Sequence, residues 1–143
     1  MANAMVRWIG GKGFVGIDSS KHSVVLSSKD EGTGMKPSEL LLVALGACTA
    51  VDVVEILQKK RQPPSWLEIE VEGKQEEDPP WTFRNVHVKY ILRGKRLTKK
   101  AVAAAIQLSE QKYCSVAATV RGSAEITTEF EILEEEADSE EFH

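Results

Sequence analysis

The sequence predicts an α+β fold made of antiparallel strands and one long, buried helix. Three observations carry that prediction. Short strand-like pieces lie on both sides of a twelve-residue apolar run, Leu40 to Val51, interrupted only by Gly46 and Thr49. The two clearest strands after that run each alternate between an apolar and a polar face, the pattern of a sheet wetted on one side. The chain has 143 residues, 42% hydrophobic and 28% charged, which suits one core and not two domains.

In chain order, Met5–Ile9, Phe14–Ile17 and Ser23–Ser27 read as strands. Gly10-Gly11-Lys12-Gly13 forms the first turn between them and Asp18-Ser19-Ser20 opens the second. Thr33-Gly34-Met35-Lys36 is a loop. A helix then starts at Pro37, whose missing N–H has no intrahelical partner in a first turn. Glu39 complements the helix dipole there. The pattern runs to about Lys60, where Pro63-Pro64 stops it, a length of roughly 35 Å. Its first half is apolar on every side and needs cover on every side. One domain of this size can hardly supply that, so a partner chain is expected to cover part of it.

Trp66–Gly73 places Leu67, Ile69 and Val71 opposite Glu68, Glu70 and Glu72. Trp81–Leu92 places Val86, Val88, Tyr90 and Leu92 opposite His87, Lys89 and Ile91. Asp78-Pro79-Pro80 connects these two strands, and antiparallel pairing follows. A second helix runs from an N-cap at Thr98 to about Lys112, with Val102, Ala105, Ile106 and Ser109 on one stripe. Tyr113-Cys114-Ser115 interrupts it. Val116–Val120 is either a short helix capped by Ser115 or an extended piece. The last strand is Ala124–Ile132, with Ile126, Phe130 and Ile132 facing inward. The folded domain is thus expected over residues 1–132, and 133–143 reads as an acidic, disordered tail.

The net charge is −4, but six acids lie in the last eleven residues, and without them the body carries +2. That leaves no basic field for nucleic acid and no polybasic stripe for an anionic membrane. The start of the chain lacks the apolar stretch of a secretory signal. The run Leu40–Val51 is too short to span a bilayer and is closed by Asp52 and Glu55. A cytoplasmic location is expected, where thiols stay reduced. The two cysteines, Cys48 and Cys114, stand 66 positions apart, which excludes CxxC and zinc spacings. His22, His87 and His143 share no ligand spacing, so no metal site is expected.

Both cysteines are candidates for chemistry. Cys48 lies mid-helix in Leu45-Gly46-Ala47-Cys48-Thr49-Ala50, with Asp52 one turn on. A helix-interior glycine costs about 1 kcal/mol, so Gly46 points to a close approach by a neighbouring element. Cys48 reads either as a small buried hydrophobe or as a reactive thiol. Cys114 sits at a helix break and either simply ends that helix or starts the next turn. In the second case the helix N-terminus lowers its pKa well below ~8.5. Gly10-Gly11-Lys12-Gly13 lacks the spacing and terminal Lys-Ser/Thr of a phosphate loop and reads as a hairpin turn. No sequence context singles out a serine for a Ser-His-Asp arrangement. Glu68, Glu70, Glu72, Glu76 and Glu77 read as a solvated face and adjoining loop. Trp8, Trp66 and Trp81 read as core or interface anchors.

The segment from Lys36-Pro37-Ser38-Glu39 through Leu45-Gly46-Ala47-Cys48-Thr49 to Asp52-Val53-Val54 resembles the central helix of the OsmC/Ohr family. These are the osmotically inducible and organic hydroperoxide resistance proteins. Lys112-Tyr113-Cys114-Ser115-Val116 resembles that family's second cysteine motif. The resemblance extends from about Val6 to Ile132, and within the family the chain is most like the YhfA-like branch. It implies an OsmC-like fold: antiparallel sheets around a long buried central helix, in an intertwined homodimer with active sites at the subunit interface.

By the same resemblance, Cys48 is the peroxidatic thiol that reduces a small apolar organic hydroperoxide, and Cys114 resolves it as a disulfide. No bound cofactor is implied; a dithiol reductant such as a lipoylated protein completes the cycle. The family's peroxidases use an arginine that holds the thiolate ionised and a glutamate that pairs with it. The arginine's position reads Lys12 here, which keeps the charge but not the planar fork, and Arg7 is a possible substitute. The glutamate's position reads Ser38, with the carboxylate one residue later at Glu39 or supplied by Asp52. The alternative function on the same scaffold is binding of a small molecule, or redox sensing, with little peroxidase turnover.

Overall fold

The structure, a computed structural model, describes residues 2–135. Its elements are β1 (Ala4–Trp8), β2 (Gly13–Asp18), β3 (Ser23–Ser27), α1 (Pro37–Lys59), β4 (Trp66–Gln75), β5 (Phe83–Arg93), α2 (Lys99–Leu108), α3 (Ser115–Val120) and β6 (Glu125–Leu133). A π-helical turn, Ser109–Tyr113, follows α2. The chain falls into two compact units, divided within α1 between Val43 and Ala44.

The first unit is built on the antiparallel sheet β1-β2-β3. Gly10 and Gly11 take φ values of 102° and 53° in the β1–β2 turn, a left-handed region that a side chain resists. Gly13 N–H bonds to Gly10 O at 3.0 Å, and Ile9 N–H to Gly13 O at 3.0 Å, which makes this segment a hairpin turn. After β3 the chain returns beside it through a bridge between Leu26 and Met35, and α1 begins two residues later.

The second unit holds the rest of α1 and the sheet β4-β5-β6, with β5 central. The period-two pattern is realised on β5: Val86, Val88, Tyr90 and Leu92 are at most 1% exposed. The glutamates Glu68, Glu70 and Glu72 of β4 face solvent. β4 pairs antiparallel with β5, as its pattern predicts. β6 departs from that expectation and pairs parallel to β5, from Asn85↔Glu125 to Arg93↔Leu133. The physical reason is the crossover: α2 and α3 carry the chain back along the sheet, so the next strand runs in the same direction.

α1 is buried along one stripe, Leu45, Gly46, Thr49, Val53 and Leu57. Leu41, Val43 and Val51 remain 40%, 50% and 59% exposed within the chain. The whole helix has 23 residues, is strongly apolar, and is buried over only a minority of its length within the chain. By length and composition alone it would therefore reach across a bilayer, further than the twelve-residue run suggests. A Cβ at Gly46 would sit 3.1 Å from Val71 Cγ2 and 3.7 Å from Ile69 Cγ2. This is the close approach that the glycine signalled.

Thr98 caps α2, its hydroxyl accepting the Ala101 N–H at 3.2 Å, a bond worth about 1 kcal/mol. The α-helix ends at Leu108 instead of Lys112, because the next five residues widen into the π turn. The segment after it is helical, and its cap is Cys114, not Ser115. Trp81 has φ 53° and lies ahead of β5, which starts at Phe83. The tryptophans are not core anchors: Trp8, Trp66 and Trp81 are 66%, 41% and 54% exposed. Leu133 still belongs to β6. The Glu134 carbonyl accepts from Arg93 Nη1 at 2.7 Å and the Glu135 carboxylate accepts from the Ser65 hydroxyl at 2.7 Å. The rest of the expected acidic tail, 136–143, lies outside the described residues.

Candidate functional site

The second unit brings Cys48 and Cys114 together. Cys48 sits on α1 two residues beyond Gly46, where the helix backbone rests on β4. Cys114 sits where the π turn gives way to α3. Both are free thiols, Cys48 half-buried and Cys114 buried, and they are close enough for each to act on the other's electrostatics.

Their environments differ. Burial pushes the Cys114 thiol up from 9.0 to about 11, and its hydrogen bond with Cys48 pushes the same way. Protonated Cys114 can donate to the Cys48 sulfur, and ionisation would forfeit that bond. Against these, Cys114 Sγ accepts the Ala117 N–H at 3.3 Å as the N-cap of α3. The helix start thus acts as the sequence suggests, but burial outweighs it. Cys114 is a thiol at neutral pH, not the activated thiolate of a helix N-terminus.

That shift has a stability consequence. The unfolded chain releases this proton near its ordinary value of 9.0 and the folded chain near 11. Between those values the folded state holds more protons, so stability is fully present below about pH 9 and falls as pH rises toward 11. Thermal melts from pH 8 to 11 are expected to show a declining midpoint. The decline should be shallower in Cys114→Ser, whose hydroxyl does not titrate; equal slopes would mean that Cys114 is not buried as described.

Three polar side chains of the second unit surround the pair. Thr49, next to Cys48, is buried and donates to the Gly46 carbonyl at 3.1 Å. Tyr90 is fully buried, and its Oη makes no hydrogen bond of good geometry among the described residues. Burial first of all raises its hydroxyl to about 12, eased by the neighbouring Thr49 hydroxyl and reinforced by Glu110, Cys114 and Asp52. Asp52, one turn beyond Cys48, accepts the Ser109 hydroxyl at 2.8 Å. Beside Asp52 opens a cavity of about 500 Å³, lined by Ile56, Lys59, Leu108 and Tyr113 among others. Two acids, Asp52 and Glu55, and two lysines, Lys59 and Lys60, line it together with the apolar side chains. Among the described residues no three His, Cys, Asp or Glu side chains gather closely enough to hold a metal ion.

Lys12 and Glu39 belong to the first unit. The Lys12 backbone N–H donates to Glu31 Oε2 at 2.8 Å, and its ammonium stands 3.9 Å from Asp30. Glu39 pairs with Lys36 at 3.3 Å, one turn back. Arg7 lies on exposed β1, with its guanidinium 3.7 Å from the Met5 sulfur. Sequence reasoning passed over Tyr90 and Thr49 as site neighbours. Tyr90 lies on the apolar face of a regular strand, and only its phenol marks it out there. Ser109 was seen only as part of a helix stripe.

A family model described as "OsmC-like protein" matches residues 29–129. The chain is 35% identical over 130 residues to Protein YhfA of Escherichia coli K12, covering 91% of this chain and 97% of the relative. It superposes with a TM-score of 0.86 on the crystal structure of a hypothetical protein from Aquifex aeolicus VF5. That pair is 32% identical and covers 95% of this chain and 98% of the other. The organic hydroperoxide resistance protein OhrB of Bacillus subtilis superposes with a TM-score of 0.63 at 16% identity, covering 92% and 98% of the two chains. At that identity the likeness is one of fold.

Proposed function

Because the chain belongs to the OsmC-like protein family, we propose that it reduces organic hydroperoxides with two cysteines, Cys48 attacking and Cys114 resolving. The observation that carries this reading is the meeting of two free thiols from positions 66 residues apart. One of them is partly open to solvent and the other is buried.

In the first step the Cys48 thiolate attacks the terminal oxygen of ROOH. The O–O bond breaks, the alkoxide takes a proton and leaves as ROH, and Cys48 becomes a sulfenic acid, oxidised by two electrons. In the second step the Cys114 sulfur attacks Cys48 Sγ. The S–O bond breaks, the hydroxyl leaves with the Cys114 proton as water, and a disulfide forms. An external dithiol, in this reading a lipoylated protein, returns both thiols.

The test is direct. Reduced protein is treated with one equivalent of cumene hydroperoxide, trapped with an alkylating agent, digested and analysed by mass spectrometry. A Cys48–Cys114 disulfide formed faster than free cysteine oxidises is the expected result. Two thiols that stay reduced would remove the peroxidase reading.

The same reading includes a homodimer, with a second copy covering Leu41, Val43 and Val51 of α1, three apolar side chains left 40–59% exposed in one chain. Sedimentation at micromolar concentration is expected to give twice the chain mass of 15.8 kDa; a monomer would overturn it.

A second reading is a small-molecule binding or redox-sensing protein with little turnover. The ion pairs Lys12–Asp30 and Lys36–Glu39 favour it, because they engage the two charged groups that the family's resemblance assigns to thiol activation. Slow oxidation in the cumene hydroperoxide experiment would select it.

A further inference from the structure

Asp52 takes no part in the two-step chemistry above, yet it is joined to both cysteines by a short chain of contacts. It lies on α1 one turn beyond Cys48, so the two side chains share a face of the helix. Its Oδ2 accepts the Ser109 hydroxyl at 2.8 Å across 57 positions of sequence. Ser109 is fully buried and is the first residue of the π turn. The Ser109 carbonyl accepts the Cys114 N–H at 2.8 Å, the bond that closes the turn. Cys114 then emerges in extended backbone, with φ −81° and ψ 107°, and its thiol lies near enough to Cys48 to be influenced by it. The contacts form a ring from Cys48 through one turn of α1, Asp52, Ser109 and the π turn to Cys114, and back to Cys48.

A π turn is rare and is frequently found at functional sites. The competing arrangement is continuation of α2 as an ordinary α-helix. There the Cys114 N–H would bond to the Glu110 carbonyl instead of that of Ser109. One residue of register turns a helical side chain by about 100°, and Cys114 would be aimed elsewhere. The Glu110 carbonyl is occupied in the structure by the Arg121 guanidinium. Asp52 and Arg121 therefore hold the turn from its two sides, Asp52 at its first residue and Arg121 at the acceptor the α-helix would need.

We infer that Asp52 is a positioning residue for the resolving cysteine: its carboxylate holds Ser109 so that the π turn keeps its register and presents Cys114 to Cys48. The inference rests on the two-cysteine reading, but it concerns the geometry of the thiol pair and not its reaction with peroxide.

Glutathione redox buffers test it without any peroxide. Oxidised glutathione takes the two thiols to a disulfide and releases two reduced glutathiones, so the equilibrium constant reports how well the thiols are held together. Full-length parent, Asp52→Ala, Asp52→Asn and Ser109→Ala are equilibrated across the buffer range, alkylated and counted by mass. The constant is expected to fall about tenfold or more in Asp52→Ala and Ser109→Ala, the scale of one lost charge-assisted hydrogen bond. Asp52→Asn should recover most of it, because the amide oxygen still accepts the Ser109 hydroxyl. A parental constant in Asp52→Ala overturns the inference, and so does Asp52→Asn failing as badly as Asp52→Ala. If Asp52→Ala does not fold, Ser109→Ala decides, and a parental constant there overturns it. A parent that forms no Cys48–Cys114 disulfide in any buffer also overturns it. A parent that forms this disulfide with glutathione but not with cumene hydroperoxide loses the peroxidase reading alone.

Discussion

Replacing Cys48 with serine is expected to abolish hydroperoxide consumption, a loss of about 10³-fold or more. A serine hydroxyl is almost wholly protonated at neutral pH and is a poor nucleophile toward an O–O bond without an adjacent base. The change swaps one small atom at a half-buried position, so the fold and its melting temperature should hardly move. Cumene hydroperoxide is followed with and without a dithiol, and consumption at the parental rate would remove Cys48 from the chemistry. Cys114→Ser separates the two steps. It should consume about one equivalent and then stall as a sulfenic acid, which a carbon nucleophile can trap at Cys48.

Gly46→Leu is expected to cost about 3 kcal/mol of stability, the upper part of the usual overpacking range. For a chain of this length that lowers the melting temperature by about 10 °C. Leucine regains the helix propensity that glycine gives up, about 1 kcal/mol. Its side chain has no room, however: even a Cβ would stand 3.1 Å from Val71 Cγ2. The helix would have to lift away from β4, carrying Cys48 with it, so the disulfide should form more slowly as well. Circular-dichroism melts and the thiol-trapping assay read the two effects. A variant that melts and oxidises like the parent would mean that the glycine is not what seats α1 on the sheet.

Much of this fold is written in local patterns. The alternation in Trp66–Gly73 and in Val86–Leu92 depends only on which side of a sheet meets the core, and the structure reproduces both. Pro37 and Thr98 mark helix starts because capping is a matter of the nearest backbone groups. The features that escaped depend on distant contacts. Nothing between Gln107 and Ser115 announces a π turn; it exists beside a bond from Ser109 to Asp52, 57 positions away. The parallel register of β6 depends on how α2 and α3 cross the sheet, and its own alternation suits either direction.

The candidate site divides in the same way. Cys48, Cys114 and Asp52 were legible as residues of interest, and Gly46 as a point of close approach. That the thiols meet was not, since 66 intervening positions permit any separation. The protonation of Cys114 was not legible either, because its helix-start position is local information, whereas the burial that outweighs it comes from the whole unit. The exposure of the tryptophans was not legible for a related reason. Large apolar rings are common in cores, but these three sit at a sheet edge or beside turns, where one face stays wet.

The parallel pairing of β5 with β6 bears on the order in which the chain assembles. β4 and β5 pair from Gln75↔Phe83 outward and can zip from their own turn. Every β5–β6 pair joins residues 40 positions apart, beginning with Asn85↔Glu125. That strand is expected to dock late, after the crossover has formed, because distant pairings carry the larger loop-closure entropy. Cys114 rides on the crossover. The crossover is pinned to the sheet at its far end only when β6 docks, so the final seating of Cys114 is expected to be completed with that strand.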